Sequence, residues 1–515
     1  MKAIRLRVLA LSVLVWGCAP GSDTGTAEID GSSASPAMAA TAVDPATLDR
    51  TGQGTDAALT LPTRSVAAID TRSITGIFSD DGLNSYVLEI EAALARSQAG
   101  LGIIPQSAAD AISATAVLAS IPQAEVDAEY RIVRHRMVAL LNVWRRRLAP
   151  EASDYLHYGA TTVDIYDSAR VLQLRAAILV LIADLRELET GMIELAQAHR
   201  TTPMIGRTLG QHALPITFGK KVSGWIGENR RHIERLHDLL GRVERAVIMK
   251  GAVGSYLGLG ADGIAVEQGV AMQLGLPAPY SDDWHSARDV FAEYAGVLAM
   301  ISRSQGRIGQ EVFLLQTTDI AEVVERRPGG AVGSSTMPHK NNPSLSEALI
   351  QHSRVIPRLA EIVGDDMVNM FERDNTSRPN QVLEEISIAS EDMLADSRRL
   401  ISRLEVDPVR MRENLDRSGG WILSQRFMFA LAPSIGRDVA EAHMRDLANA
   451  ARTSGENLYD VALADPVITS ALTQTEIADL LDPTTYVGLA AEQVDAVLAD
   501  ALSAREHDRM LGSQE

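Results

Sequence analysis

Cysteine is nearly missing from this chain: one residue among 515, Cys18. A single thiol excludes a disulfide framework and a cysteine-based zinc site. Lysine is scarce as well. Of 48 basic residues only Lys2, Lys220, Lys221, Lys250 and Lys340 are lysines, and the last four fall in or beside the motif blocks described below. Aromatic residues make up 4%. Positive charge is outnumbered, with a formal net charge of −19, so nucleic acid is excluded as a natural partner. No alternating polar and apolar run of useful strand length is present. Beyond the N-terminal stretch no apolar run approaches the ~20 residues that span a bilayer.

What is present favours helix. Hydrophobic residues make up 46%, enough for a folded globular chain, and alanine, leucine and arginine fill its middle. The length exceeds one hydrophobic core and predicts two to four domains. The first stretch, Met1–Cys18, has Lys2, Arg5 and Arg7, then the apolar run Val8–Trp16, then Gly17-Cys18. It reads as a secretory signal over 1–18. Its Gly-Cys end is similar to a bacterial lipoprotein cleavage box, which would acylate Cys18 and leave an exported, periplasmic protein on a lipid anchor. Ordinary cleavage or an uncleaved anchor are the alternatives. Residues 19–65, rich in Ala, Ser, Thr, Gly and Asp without apolar period, read as a disordered tether.

Order is expected from about Thr75. Ser79 or Asp80 can cap a helix that runs to Gly100. Further helices are expected over about 106–120 and 123–148. From Asp164 to His199 there is no proline and one glycine, which predicts a helix of roughly 36 residues, about 54 Å long. Long helical patterns also cover about 216–248, 285–318, 345–368 and 380–404. The expected architecture is all-α with three domains: an N-terminal helical domain over 66–163, a central bundle of very long helices over 164–407, and a C-terminal domain of shorter helices over 408–515.

Five polar blocks punctuate these helices. His157-Tyr-Gly-Ala-Thr-Thr-Val-Asp164 puts two hydroxyls and free N–H groups at a helix start, where an anion can sit or where a threonine simply caps. Gly206–Gly219 offers Arg207, Thr208, Gln211 and His212, and reads equally as a solvated turn. Asp283-Trp-His-Ser-Ala-Arg-Asp289 places Trp284, His285 and Arg288 before a long helix; a buried tryptophan with a capping histidine would look the same. Phe371–Arg378 is a charged connection containing Arg373, with an exposed ion-paired turn as the plain alternative. The most specific block is the loop Gly329–Pro343, whose core reads Gly-Ser-Ser-Thr-Met-Pro-His-Lys-Asn-Asn-Pro from Gly333. Glycines free its start to move, and Ser335, Lys340 and Asn342 suit an anion.

That loop resembles the signature of the fumarase/aspartase superfamily, Gly-Ser-Ser-x-Met-Pro-x-Lys-x-Asn-Pro, at every fixed position. Together the blocks are similar to that superfamily from Ile77 to the C-terminus. They most resemble the branch that holds adenylosuccinate lyase and 3-carboxy-cis,cis-muconate cycloisomerase. The resemblance implies a three-domain helical subunit, a homotetramer whose active sites draw segments from three subunits, and no metal or organic cofactor. It also implies abstraction of a proton next to a carboxylate, which needs a base and preorganised donors around the charge that develops. Ser334 matches the base. Lys340 and Asn342 match carboxylate-binding and loop-ordering positions, and Thr161, Thr162 and Gln211 match substrate-binding ones. His135, in Val-Arg-His-Arg-Met-Val, and His157 match two active-site histidines of adenylosuccinate lyase.

The departures bear on the substrate. Where adenylosuccinate lyase has an acid histidine in the second block, this chain has Leu209. An amine leaving group needs a proton and a carboxylate does not, so Leu209 points to a cycloisomerase-like reaction on a small polycarboxylate. Arg373 fits the nucleotide enzyme, but its later serine and arginine fall on Arg378 and Val382. A C–N lyase releasing fumarate from an N-substituted aspartate, with His157 or His212 as acid, is the second expectation. A non-catalytic anion-binding protein on the same fold is the third.

Overall fold

The computed structural model describes residues 73–282, 285–374 and 380–512. The leader, the tether and Cys18 lie outside these residues, as do Trp284 and Arg378. The first long element is α1 (Asp80–Gly100), whose start is capped by Ser79 Oγ accepting from Gly82 N at 3.0 Å. A shorter helix, Gln106–Thr115, and a single turn, Leu118–Ser120, replace the helix expected over 106–120. The continuous helix expected over 123–148 is also corrected. It breaks after Val133, because Arg134 turns left-handed at φ 55° and His135 caps a new helix, α2 (Arg136–Arg145), by accepting from Val138 N. Neither glycine nor proline marks that break.

The axis of the molecule is α3 (Thr162–Ala198), 37 residues without interruption. It buries Val171, Leu174, Ile178, Leu181, Leu185, Leu188 and Met192 on successive turns, so most of its circumference faces other helices. A β-hairpin follows, β1 (Pro203–Thr208) and β2 (Gln211–Thr217), where sequence pattern suggests no strand. Its two-residue turn, Leu209-Gly210, has φ 52° and 75°, the primed geometry that matches strand twist.

The chain then returns along α4 (Phe218–Glu244), crosses to α5 (Asp289–Leu315), forms β3 (Val323–Glu325) and continues as α6 (Ser344–Gly364) and α7 (Asn380–Arg403). β4 (Leu404–Val406) pairs antiparallel with β3. The helices α5 and α6 meet closely because Gly306 has no side chain: a Cβ there would lie 2.2 Å from Ser353 Cβ. Among the described residues four apolar clusters result, the smallest of them Ile205, Leu415, Ile422 and Leu423. The largest joins α3 to α7, a second surrounds α1 and α2 with Leu94, Leu140 and Trp144, and a third holds Phe427, Leu431, Leu458 and Ile468.

The last helix, α8 (Ala490–Gly512), leaves the C-terminal segment and returns Val494 and Leu498 to the largest core. A buried ion cluster fixes it there. Arg230 makes a fork to Glu189 at 3.0 Å and reaches Asp508 at 2.7 Å, and Arg505 reaches Glu189 at 2.6 Å. Among the described residues no helix is long and apolar enough to cross a membrane.

Candidate active site

The candidate site residues gather at the two ends of the bundle. At the start of α3 the chain turns sharply through His157 and Gly159, at φ 63° and 77°. Gly159 is needed for approach as well as angle, since a Cβ there would meet Gly258 O at 2.5 Å. Thr161 is the N-cap, and its N–H donates to Asp164 Oδ2 at 3.0 Å. Asp164 is fully buried and also accepts from Lys250 N and Gly251 N at 3.0 Å each. This carboxylate ties the Thr161-Thr162 turn to residues 250–251, a role that goes beyond a cap. Lys250 is a buried structural cation: its Nζ donates to Glu267, Tyr256 OH and Tyr280 O at 2.8, 2.7 and 3.0 Å.

His157 is set from behind by α1. Its Nδ1 lies 2.6 Å from Oε1 of Glu91, whose side chain is wholly buried. Burial works against protonation of His157, but the charge and hydrogen bond of Glu91 outweigh it and raise the imidazole above its ordinary range. The third block joins the same group. His285 is buried between two carboxylates, Nε2 3.5 Å from Asp164 and Nδ1 3.4 Å from Asp167. Arg288 Nη1 donates to Asp167 at 2.8 Å, and its Nε lies 3.6 Å from Asp366. Burial disfavours a charged Asp167, yet His285 and Arg288 hold its carboxyl below the usual range. Asn369, just before the fourth block, donates Nδ2 to His285 O at 3.3 Å and accepts from Asp374 N of the block at 2.8 Å, and Arg373 is exposed. His135 is exposed at the start of α2, the helix whose Arg145 donates to Leu156 O beside the His157 turn.

The second group lies beyond the other end of α3. Arg207 and His212 pair across the hairpin, and Thr208 pairs with Gln211, so neighbouring residues face opposite ways. On one face Arg207 makes a fork to the buried Glu322 at 2.9 and 2.6 Å, and Asn414 donates to the same carboxylate at 2.8 Å. His212 shares that face and lines a cavity of about 400 Å³ with Ser418, Trp421 and Gln425. Burial, then the charge of Arg207, hold its imidazole below the ordinary range. Gln211 belongs to the opposite face, and Leu209 at the tip is completely exposed.

The signature loop joins this end through β3. Glu325 accepts from Leu345 N and Ser346 N at 3.0 and 2.9 Å, capping α6 where the loop ends. Asn341 Nδ2 donates to Glu325 O at 3.0 Å. Within the loop, Ser334 Oγ accepts from Met337 N at 3.1 Å, and Asn342 Nδ2 donates to Gly333 O at 3.2 Å. The Arg327 guanidinium lies against Gly333, so close that a Cβ there would overlap it, and it donates to Lys340 O at 3.3 Å. An N–H aimed at Ser334 Oγ, with a cation nearby, is what an alkoxide there requires. Lys340 itself is exposed.

His157, Thr161, Thr162, His285, Arg288 and Arg373 are thus brought together at one end, and Arg207, Gln211, His212, Ser334, Lys340 and Asn342 at the other. The 37 residues of α3 put about 55 Å between its ends at 1.5 Å per residue. Sequence reasoning missed Glu91, Asp167, Glu322, Glu325 and Arg327, and gave Asp164 no role of its own. The one available signal was acidic residues on otherwise apolar helix faces, Glu91 among Val87, Leu88, Ile90 and Leu94.

Comparison with known proteins gives a consistent result. Residues 68–357 match a family described as "Lyase", and residues 420–497 match "Adenylosuccinate lyase C-terminus". The chain is 34% identical to an N-acetyl-S-(2-succino)cysteine lyase of Enterococcus italicus, over 83% of this chain and 94% of that protein. It is 33% identical to an adenylosuccinate lyase of Methanocaldococcus jannaschii, over 82% and 92%. The crystal structure of 3-carboxy-cis,cis-muconate lactonizing enzyme from Pseudomonas putida superposes with a TM-score of 0.77 at 33% identity, covering 84% of this chain and 97% of that one.

Proposed function

The chain belongs to the fumarate lyase superfamily, and on that premise we propose that it catalyses a β-elimination, or its reverse, on a small polycarboxylate whose leaving group departs without being protonated. The supporting observation is Leu209. It occupies the hairpin tip, fully exposed and held at φ 52°, and offers no proton. Gln211 and His212 alternate across β2, which puts His212 on the face of Arg207 and away from Gln211. A carboxylate leaving group, as in opening a lactone, suits such a site, and the similarity to the muconate lactonizing enzyme agrees with this reading.

A thiolate is the second leaving group that fits. A thiol with pKa near 8.5 leaves far more readily unprotonated than an amine, and the similarity to the succinocysteine lyase favours that reading. An N-substituted aspartate, suggested by the similarity to adenylosuccinate lyase, would need His157 or another group as acid.

In either reaction Ser334 is the base. Thr161, Thr162, Gln211, Lys340 and Asn342 hold carboxylates, with His285 and Arg288 anchoring the seat at the start of α3. The long bundle helices that run between the two groups, α3 with its 37 residues and α5 with its 27, support an assembly in which one copy supplies the first and another copy supplies the second, as in a homotetramer with shared sites. The charged and apolar start, Met1–Cys18, supports export and acylation at Cys18.

Ultraviolet absorbance with chromatographic product analysis decides among substrates. Three panels are offered: muconate-type polycarboxylates, fumarate with thiols, and fumarate with amines. Turnover on the first or second supports the reading. Turnover confined to amines contradicts it.

A further inference from the structure

Burying the Glu91 carboxylate against His157 carries a desolvation cost that an apolar side chain would not. Glu91 sits on α1 inside an apolar core with Val87, Leu88 and Leu94, and its side chain has no exposed surface. Oε1 meets His157 Nδ1 at 2.6 Å, while Oε2 has no hydrogen-bond partner among the described residues. A half-satisfied buried carboxylate is expensive, and an apolar residue of similar volume would serve the core at least as well. The histidine is costly too, since a non-glycine residue at φ 63° is strained.

The surroundings fix the ring. Gln98, two turns along the same face of α1, donates Nε2 to Tyr158 O at 2.8 Å, and the contact of Gly159 with Gly258 holds the other side of the turn. Nδ1 is committed to Glu91, so the proton on Nε2 is the one left for another molecule. The charged groups facing the ring are Glu91 on α1, Arg145 on α2 and Asp164 on α3, of which only Arg145 opposes a protonated ring.

We propose that Glu91 is a positioning residue that keeps His157 as an imidazolium and presents its Nε2–H as a fixed cationic donor to one carboxylate of the substrate. The assignment rests on the reading of a polycarboxylate substrate given above. It gives His157 a binding role and not that of an acid. The consequence is an upper pH limit on binding. The donor is present at low pH and is lost as pH rises through the folded pKa of His157, which Glu91 holds above the ordinary value.

The test combines NMR titration of the imidazole signals, with His157 assigned by loss of its peak in His157→Gln, and calorimetric binding of fumarate between pH 5.5 and 8.5. Wild type, Glu91→Gln and Glu91→Asp are compared. In the wild type His157 titrates above the ordinary value of about 6.5, and in Glu91→Gln its titration moves down from that of the wild type. Fumarate affinity at pH 7.5 then drops about tenfold in Glu91→Gln, recovers toward the wild type at pH 5.5, and is partly restored in Glu91→Asp, the pattern that loss of a protonated donor dictates. An unchanged His157 titration in Glu91→Gln overturns the proposal. If that variant does not fold, a wild-type His157 that titrates at or below about 6.5 overturns it equally. A shifted titration without fumarate binding in the wild type leaves the ion pair standing, and removes the donor role together with the substrate reading.

Discussion

Asp164 Oδ2 accepts the backbone N–H groups of Thr161 and Gly251 at 3.0 Å each, so one buried carboxylate joins the start of the longest helix to a loop 87 residues away. Replacing it by asparagine puts an NH₂ group where an acceptor is required. Asp164→Asn is expected to lose about 1–3 kcal/mol of stability. Turnover should fall by more than the unfolded fraction explains, because the Thr161-Thr162 turn loses its tether. Urea unfolding and kinetics on the folded fraction check both. Unchanged kinetics would mean that the turn needs no such support.

Arg207 is bound up with Glu322 before any substrate arrives. Arg207→Leu leaves that carboxylate buried with Asn414 alone. The expected loss is about 3–5 kcal/mol of stability, the cost of breaking a buried pair from one side. Adding Glu322→Gln to the same chain should recover part of it. If Arg207→Leu is as stable as the wild type, the fork is dispensable and Arg207 is free to serve the substrate.

His232 gives the acid side of the stability profile. It is buried, and burial followed by the charge of Arg235 pushes its pKa down to about 4. The unfolded chain takes up this proton near pH 6.5 and the folded one does not, so stability is complete above about 6.5 and falls as pH drops toward 4. The share lost between pH 7 and pH 5 is about 2 kcal/mol, and His232→Gln should flatten it. Urea unfolding at the two pH values measures the difference. An unaltered slope in the variant contradicts the assignment.

Leu209 holds a left-handed angle that suits asparagine better. Leu209→Asn should raise stability by about 1 kcal/mol, read as a higher melting temperature, while lowering turnover on the true substrate. Leu209→His is the complementary change. It restores a proton donor at the tip and should raise addition of amines to fumarate relative to the wild type. No change in selectivity would remove the tip from the account.

Much of this could be read from the chain alone, for identifiable reasons. The 37-residue helix was legible because a long stretch without proline and with one glycine has few other options. The signature loop was legible because its residues are contiguous. The break at Arg134 was not, since arginine gives no warning of a positive φ. The hairpin was hidden because its turn uses Leu-Gly where Asn-Gly would have announced it, and because Met204 and Ile205 are buried side by side without alternation. The partners that tune the site were invisible for a different reason. Glu91 meets His157 across 66 residues and Arg207 meets Glu322 across 115, distances over which no local pattern carries information.

Ser334 as the base that removes the proton beside a carboxylate is open to a solvent-exchange test. The purified protein is held in heavy water with a substrate from the panel it turns over, and deuterium next to the carboxylate is followed in recovered substrate and product, alongside Ser334→Ala. The account predicts that the variant stays folded and still binds, but loses turnover and incorporation by about a thousandfold or more, as removal of an essential base does. Incorporation in Ser334→Ala within tenfold of the wild type would assign the proton transfer to another residue and contradict the account.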